Sequence, residues 1–217
     1  MKRTWALGAA VLCGLLLSGC KKANPNQGSG VQKSEARSLP EFRKLKASGT
    51  ANVEVTIGAP CPAEITTDDN LLGLIETTVK DGALVVRTGE KLRPKVPVRV
   101  RLCAATLNAI DADGASRVSV TQLAAADLTV RAAGAAQLHF AGSAATVRLE
   151  LGTASHADLS ELSNGTTTAR IDQAASARLG HVEVLNVTIS GPGSLRYRGE
   201  PSITQAVGKL GRLIQEQ

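Results

Sequence analysis

The stretch from about Leu107 to Gly199 states nearly the same pattern five times, and that repetition restricts the fold more than any other feature. An aliphatic anchor is followed eight positions later by a second apolar residue, with small residues between. The anchors are Ile110, Val130, Leu149, Ile171 and Ile189; their partners are Val118, Leu138, Ala157, Leu179 and Tyr197. Successive anchors are 20, 19, 22 and 18 residues apart. A period near twenty is too short for a pair of helices and suits a coil of short strands. The pattern predicts an all-β parallel β-helix, with repeat rungs of about 20 residues over residues 105–200.

Alternation inside each repeat supports strands. In the second repeat Leu128, Val130, Leu138 and Phe140 alternate with Thr129, Arg131, Gln137 and His139, which is a period of two with one face buried. The position after each anchor reads Asp111, Arg131, Glu150, Asp172 and Ser190, and the position before each partner reads Arg117, Gln137, His156, Arg178 and Arg196. Both columns are polar and are expected to face water. The kernels Gly114-Ala115-Ser116, Gly134-Ala135-Ala136, Thr153-Ala154-Ser155, Ala175-Ser176-Ala177 and Gly193-Ser194-Leu195 suit tight corners between strands. A helical reading of the Ala-rich pieces fails on the β-branched content, the recurring glycine and the lack of a 3.6-residue stripe.

Residues 1–19 read as a processing signal. Lys2 and Arg3 precede an apolar run, Trp5 to Leu17, that is too short to span a bilayer comfortably. The run ends in Leu17-Ser18-Gly19-Cys20, which resembles the lipobox of bacterial lipoproteins and implies a diacylglyceryl thioether on Cys20 with cleavage just before it. An ordinary signal peptide with an incidental cysteine is the alternative. Several acyl chains, at about 0.8 kcal/mol per buried methylene, hold a protein stably on a membrane. Residues 20–37 are polar, with Pro25, Gly28 and Gly30, and read as the lipidated cysteine followed by a flexible tether. Lys21 stands where an inner-membrane retention signal usually shows Asp, so by resemblance to that sorting rule the outer membrane is favoured, on an undetermined leaflet.

Removing Lys2 and Arg3 lowers the net charge from +6 to +4, and the remaining basic groups are scattered. With aromatics at 2%, no basic patch interleaved with rings exists, so nucleic-acid binding is not indicated. Before the repeats, Phe42–Leu45, Ala51–Ile57, Ala63–Thr67, Leu74–Val79, Ala83–Thr88 and Val96–Leu102 read as strands, with a hairpin around Asp81-Gly82. They form either the first coils or a sheet capping the end. Of four cysteines, Cys13 departs with the signal and Cys20 carries lipid, leaving Cys61 and Cys103. In an exported compartment these two predict a disulfide, contributing about 3–4 kcal/mol on loop-entropy grounds, against an alternative of two buried thiols.

Several short motifs occur in order: Arg37-x-Leu39-x-x-Phe42, Ser48-Gly49, Val53-x-Val55, Asn70-Leu71, Asp81-Gly82-x-Leu84, Pro97-Val98-x-Val100 and Leu107-x-x-Ile110. Asp113-Gly114-Ala115-Ser116, Ile189-Ser190-Gly191-Pro192-Gly193-Ser194 and Tyr197-x-Gly199-x-Pro201 complete the series. Together they resemble the autotransporter-adhesin head, or GIN, domain of bacterial envelope proteins, often lipoproteins. The likeness covers about residues 37–215, so residues 38–217 are expected to be one GIN-type domain. It implies a right-handed β-helix displayed on the envelope and no catalytic residues to carry over. Thr153-Ala154-Ser155 and Ala175-Ser176-Ala177 depart from the family's usual Ser-Gly-Ala-Gly corner.

Some β-helix proteins cleave polysaccharides with Asp clusters and Ca²⁺ or an Arg/Lys base. Candidates here are Asp111, Asp113, Asp158, Asp172, Arg131 and Arg178. On the repeat frame Asp111 and Asp172 share one outward column with Arg131 and Glu150 between them, which predicts a solvated ladder of paired charges. Asp113 sits at a corner, where Asp is a common turn residue. His139 and His156 are expected to point outward and His181 inward, as a buried neutral imidazole, so they do not converge on a metal. Ser116, Ser155, Ser176 and Ser194 sit at corners without a base at a matching offset. No catalytic, metal or cofactor site is therefore expected. The favoured reading is a non-enzymatic, lipid-anchored envelope module that presents a stiff surface to a protein, glycan or cell-wall ligand. The alternative is a polysaccharide lyase or hydrolase on the same scaffold. Rungs of 18–22 residues leave no room for the long loop that would wall a cleft. Residues 203–217 are expected to form a last strand or cap.

Overall fold

The computed structural model describes residues 24–216; the signal segment 1–19 and Cys20 lie outside them. The middle coils use long strands bent around the molecule. These are β9 (Arg117–Ala132), β10 (Gln137–Leu151), β11 (His156–Asp172) and β12 (Ser176–Ser190), each parallel to the next. Each strand contributes to two walls. The bend between the walls interrupts the register at Phe140/Gly142 and Leu159/Asn164, and Gln122 and Gly142 take positive φ of 59° and 134° there. The parallel β-helix expected from the repeats is the observed fold.

The inward columns are continuous. One runs Leu45–Ile110–Val130–Leu149–Ala169–Val187, and another Val53–Val118–Leu138–Ala157–Ala177–Leu195, all buried. This corrects the sequence frame in the last two rungs. Ile171 does not stack on Leu149; it stacks on Leu151, and Ile189 follows it. The partners slip by the same two residues, since Leu179 stacks on Leu159 rather than on Ala157. The corners follow suit. The left-handed residues are Gly114, Gly134, Thr153, Gln173 and Gly191, with φ of 71°, 67°, 60°, 59° and 88°. The last two corners therefore lie two residues before the kernels at Ala175 and Gly193. A slip of two preserves which face is buried, so the core survives the misframing.

The N-terminal section is both coil and cap. β2 (Lys44–Ser48) and β3 (Asn52–Ile57) pair in parallel with β8 (Ala109–Ala112) and β9, forming the first coil. The chain then lays β6 (Ala83–Thr88) and β7 (Arg99–Ala104) on the far side of that coil before returning. β4 (Ala63–Asp68) and β5 (Ile75–Lys80) run antiparallel to β7 and β6 and close the end, with Leu71, Leu72 and Leu92 buried beneath. The expected hairpin is present, with Asp81 and Gly82 at φ 52° and 69°. Cys61 and Cys103 are bonded, at a Cα separation of 5.3 Å, and tie the segment after β3 to the out-of-order strand β7.

Residues 24–37 are not a tether. β1 (Gln32–Arg37) pairs antiparallel with β4, and Gln27 bridges Arg93. Asp68, fully buried, fastens this segment by accepting from the N–H groups of Gly30 at 2.6 Å, Lys95 at 2.9 Å and Val96 at 3.0 Å. A carboxylate with three backbone donors replaces the apolar contacts that this polar stretch lacks. At the other end, β13 (Ser194–Arg198), β14 (Ser202–Val207) and β15 (Arg212–Glu216) finish the stack. β14 lies on β12 and β15 on β13, so the expected last strand is a further coil. Among the described residues the buried apolar core runs from Phe42 to Tyr197, all of it within a chain beginning at Lys21.

Two predictions follow from this packing. A Cβ on Gly134 would lie 2.6 Å from the Gly114 carbonyl oxygen, at a backbone φ of +67°, whereas one on Gly152 would meet nothing within 4 Å. Gly134→Ala is expected to cost about 2–4 kcal/mol in urea unfolding, and Gly152→Ala to change stability by less than about 1 kcal/mol. Burial raises the pKa of Asp68, but the donors Val96, Gly30 and Lys95 outweigh it, and the carboxyl titrates below its ordinary 3.8. A lowered folded-state value stabilises above the unfolded one, so the contribution is complete above pH 3.8 and disappears as pH falls through the lower folded value. Asp68→Asn should be less stable than wild type at neutral pH, with the gap narrowing only in that acid range.

Candidate functional site

One wall carries an alternating column of charge. Lys46, Asp111, Arg131, Glu150 and Arg170 are direct neighbours in successive coils, running plus, minus, plus, minus, plus. At about 4.8 Å per coil the column spans roughly 19 Å. Arg131 Nε donates to Glu150 at 2.8 Å, which, with the charge of Glu150, raises the arginine's already high pKa. The next outward column holds Asp113, Ala133, Gly152 and Asp172. Its small residues leave a shallow groove of about 700 Å³ beside the charges, also lined by Arg87.

Asp172 is therefore not in the column of Asp111, as the sequence frame had it; Arg170 takes that place and Asp172 sits two residues on. There Asp172 accepts from Ser190 and, at 3.1 Å, from Arg170, and both hold its carboxyl below the usual range. Asp113 accepts the Gly114 N–H at 2.6 Å, the turn role expected of it. Lys46, Arg87 and Arg170 were missed. Lys46 could be found only by knowing that β2 lies directly beneath Asp111, although 65 residues separate them in sequence. The expected charge ladder is present, with different members.

The other candidates lie on the second wall. Arg117, Gln137, His156 and Ser176 form one column, and Ser119, His139, Asp158, Arg178 and Arg196 the next. Arg178 and Arg196 are thus displaced from the column the sequence gave them. Asp158 is raised by burial but more strongly lowered by hydrogen bonds from Ser160, and it lies between His139 and Arg178 in the ladder. Arg178 donates to Glu216 at 2.8 Å, with Arg196 and Arg198 within 4.0 Å and 3.7 Å of the same carboxylate. These pairs fasten the last strand.

Two expectations about histidine and serine change. His181 is exposed, not buried, its ring lying against Gly199. Ser176 does have a base within reach, since its Oγ is 2.8 Å from His156 Nδ1. The pair stands on an open strand face, with His156 exposed and no carboxylate hydrogen-bonded to its ring among the described residues. It lacks the third group that orients a catalytic base. Ser116 and Ser155 are buried and donate to the corner carbonyls of Asp113 and Gly152, at 2.9 and 2.8 Å. Among the described residues no group of three or more His, Cys, Asp or Glu is placed to hold a metal.

Comparison with known proteins agrees with this geometry. The family model described as "Putative auto-transporter adhesin, head GIN domain" matches residues 41–201. The chain is similar to the crystal structure of a putative adhesin from Bacteroides fragilis, with 20% identity, TM-score 0.71, and coverage of 88% of this chain and 99% of that one. A putative adhesin from Parabacteroides merdae matches at 17% identity and TM-score 0.60, covering 88% and 98%. A putative lipid binding protein from Parabacteroides distasonis matches at 15% identity and TM-score 0.54, covering 88% and 99%. No curated protein matches the sequence.

The charge column sets its own test. Arg131 and Glu150 are half-exposed, so Arg131→Gln should leave the urea midpoint nearly unchanged. Arg131→Glu places three carboxylates in adjacent coils and should lower the midpoint in dilute buffer, with recovery in molar salt.

Proposed function

We propose that this chain, which belongs to the auto-transporter adhesin head GIN-domain family, is a non-enzymatic, lipid-anchored envelope protein that holds a rigid β-helix against an extended partner. The carrying observation is the groove along the alternating column, a linear track about five coils long rather than an enclosed pocket. Its charges are matched in number, four basic (Lys46, Arg87, Arg131, Arg170) against four acidic (Asp111, Asp113, Glu150, Asp172). A balanced track has little reason to select a uniformly anionic polymer and suits a strand of mixed charge, in a glycan or a polypeptide. Cys20 supplies the lipid anchor, and Lys21 favours the outer membrane. Among the described residues no helix is long and apolar enough to cross a membrane.

The competing reading, a polysaccharide lyase or hydrolase, needs a carboxylate or base free to act. Asp111, Asp113 and Asp172 stand in the groove, but Asp172 and Asp113 are committed to Ser190, Arg170 and Gly114, and Asp158 stands on the other wall. The repeats turn through corners of three or four residues, without a loop to wall a cleft.

Both parts can be tested. Cys20→Ala should move the protein from the membrane fraction to the soluble fraction and abolish its labelling by a fatty acid. Binding of the domain to envelope glycans and envelope proteins should fall at least tenfold when Gly152→Trp fills the groove. Arg117→Glu on the other wall should leave that binding unchanged. Cleavage of a polysaccharide that disappears in Asp111→Asn would replace this reading with the enzymatic one.

A further inference from the structure

A β-helix ends in sheet edges at both extremities, and here the two ends are finished differently. The N-terminal end is closed by the antiparallel strands β1 and β5, which carry Lys33, Glu35, Arg37, Glu76 and Lys80. Arg37 also takes the carbonyl oxygens of Ile75 and Leu72, at 2.7 and 2.9 Å, so part of the β5 edge already has a partner. Charged, occupied edges resist the addition of another strand.

At the C-terminal end β15 carries Arg212 and Glu216, but the strand beside it is bare. β14, Ser-Ile-Thr-Gln-Ala-Val, contains neither charge nor proline and pairs among the described residues with β12 alone. Its inward row, Ile203, Gln205 and Val207, continues the columns of Leu185, Val187 and Ile189; Ile203 is half-buried against the core, while Gln205 and Val207 stand exposed. Val207 is 37% exposed and Leu210, in the following turn, 69%. This coil is not frayed. Gly208 and Arg212 donate to the coil below, and Glu216 is held by Arg178.

We propose that the terminal coil is a self-association surface, on which two copies of this chain meet tail to tail by antiparallel pairing of β14 with its own copy. The sequence of the strand selects a second copy as the occupant. A two-fold axis at Gln205 sets Ile203 of one copy opposite Val207 of the other, apolar against apolar, on the face that continues both cores. It sets Gln205 opposite itself, and a carboxamide, carrying both donor and acceptor, is complementary to its own kind. A charged residue at that position would repel its twin. The pairing satisfies the outward N–H and C=O groups of Ile203, Gln205 and Val207 on each side, the alternate residues being already bonded to β12. Because the N-terminal edges are guarded, head-to-tail growth is blocked and the interface closes as a dimer rather than a fibre.

The test uses the chain from Lys21 on, which contains the described core from Phe42 to Tyr197. Light scattering across a micromolar concentration series should show a rise from monomer to twice the monomer mass, and no further. Gln205→Cys should form a disulfide-linked dimer on mild oxidation, while Lys33→Cys at the other end and Thr129→Cys on the wall should not. Val207→Lys should return the protein to monomer at the highest concentration. Far-UV circular dichroism and the urea midpoint report whether that variant stays folded, and the Gln205→Cys result does not depend on it. Monomer mass throughout, with cross-linking at 205 no faster than at 129, overturns the proposal. So does growth beyond a dimer with cross-linking at Lys33→Cys, which would mean head-to-tail stacking.

Discussion

Everything in this molecule rests on the parallel backbone ladder that holds one coil in register over the next. Each coil alone leaves a row of N–H and C=O groups and one apolar face unsatisfied, and both needs are met by the same neighbour. Because the ladder fixes register residue by residue, inward and outward positions form straight columns through the stack. A side chain's neighbours are then set less by sequence proximity than by the residue one turn away. The corners are where this is most exacting. At Gly134 the backbone of the previous turn lies so close that there is no space for a Cβ, while Thr153 and Gln173 fill the same corner in later coils at similar left-handed angles. The family's small-residue corner is thus a strict need early in the stack and a relaxed one later.

The ladder also explains the character of the surface. Charges brought into line by register either alternate or repel, and the column from Lys46 to Arg170 alternates throughout. Such pairs are screened by water and contribute little individually. Their value is orientation, since Arg131 is turned toward Glu150 and Arg170 toward Asp172 in the next column, along the groove. Long-range polar contacts matter more where they are buried. Asp68, with three backbone donors and no exposure, holds the N-terminal segment to a body with which it shares almost no apolar contact.

The two ends divide the molecule's tasks. At the N-terminal end the chain leaves sequential order, laying β6 and β7 outside β2 and β3, and the Cys61–Cys103 bond secures that arrangement. Together with the antiparallel cover of β1, β4 and β5 it makes a finished cap on the side from which an anchor segment would lead to the membrane. At the opposite end the inward columns are left open among the described residues.

The sequence by itself determined the repeat length, the face of each strand that is buried, the strand-rich section before the repeats, the hairpin at Asp81-Gly82 and the pairing of Cys61 with Cys103. These depend on local alternation, turn chemistry and composition, which a linear chain displays directly. Tertiary structure alone decided which residues stand in one column. Ile171 and Ile189 are bulkier than Ala169 and Val187 and drew the sequence frame two residues off, and a period of two cannot reveal that error because both choices face inward. The same slip assigned Asp172 to the charge column in place of Arg170 and hid the approach of Ser176 to His156. Lys46 beneath Asp111, and Asp68 holding Gly30 and Val96, join residues tens of positions apart. Only the closed ladder brings such pairs together, because register between coils is a cooperative property of the whole stack and is written in no single stretch of it.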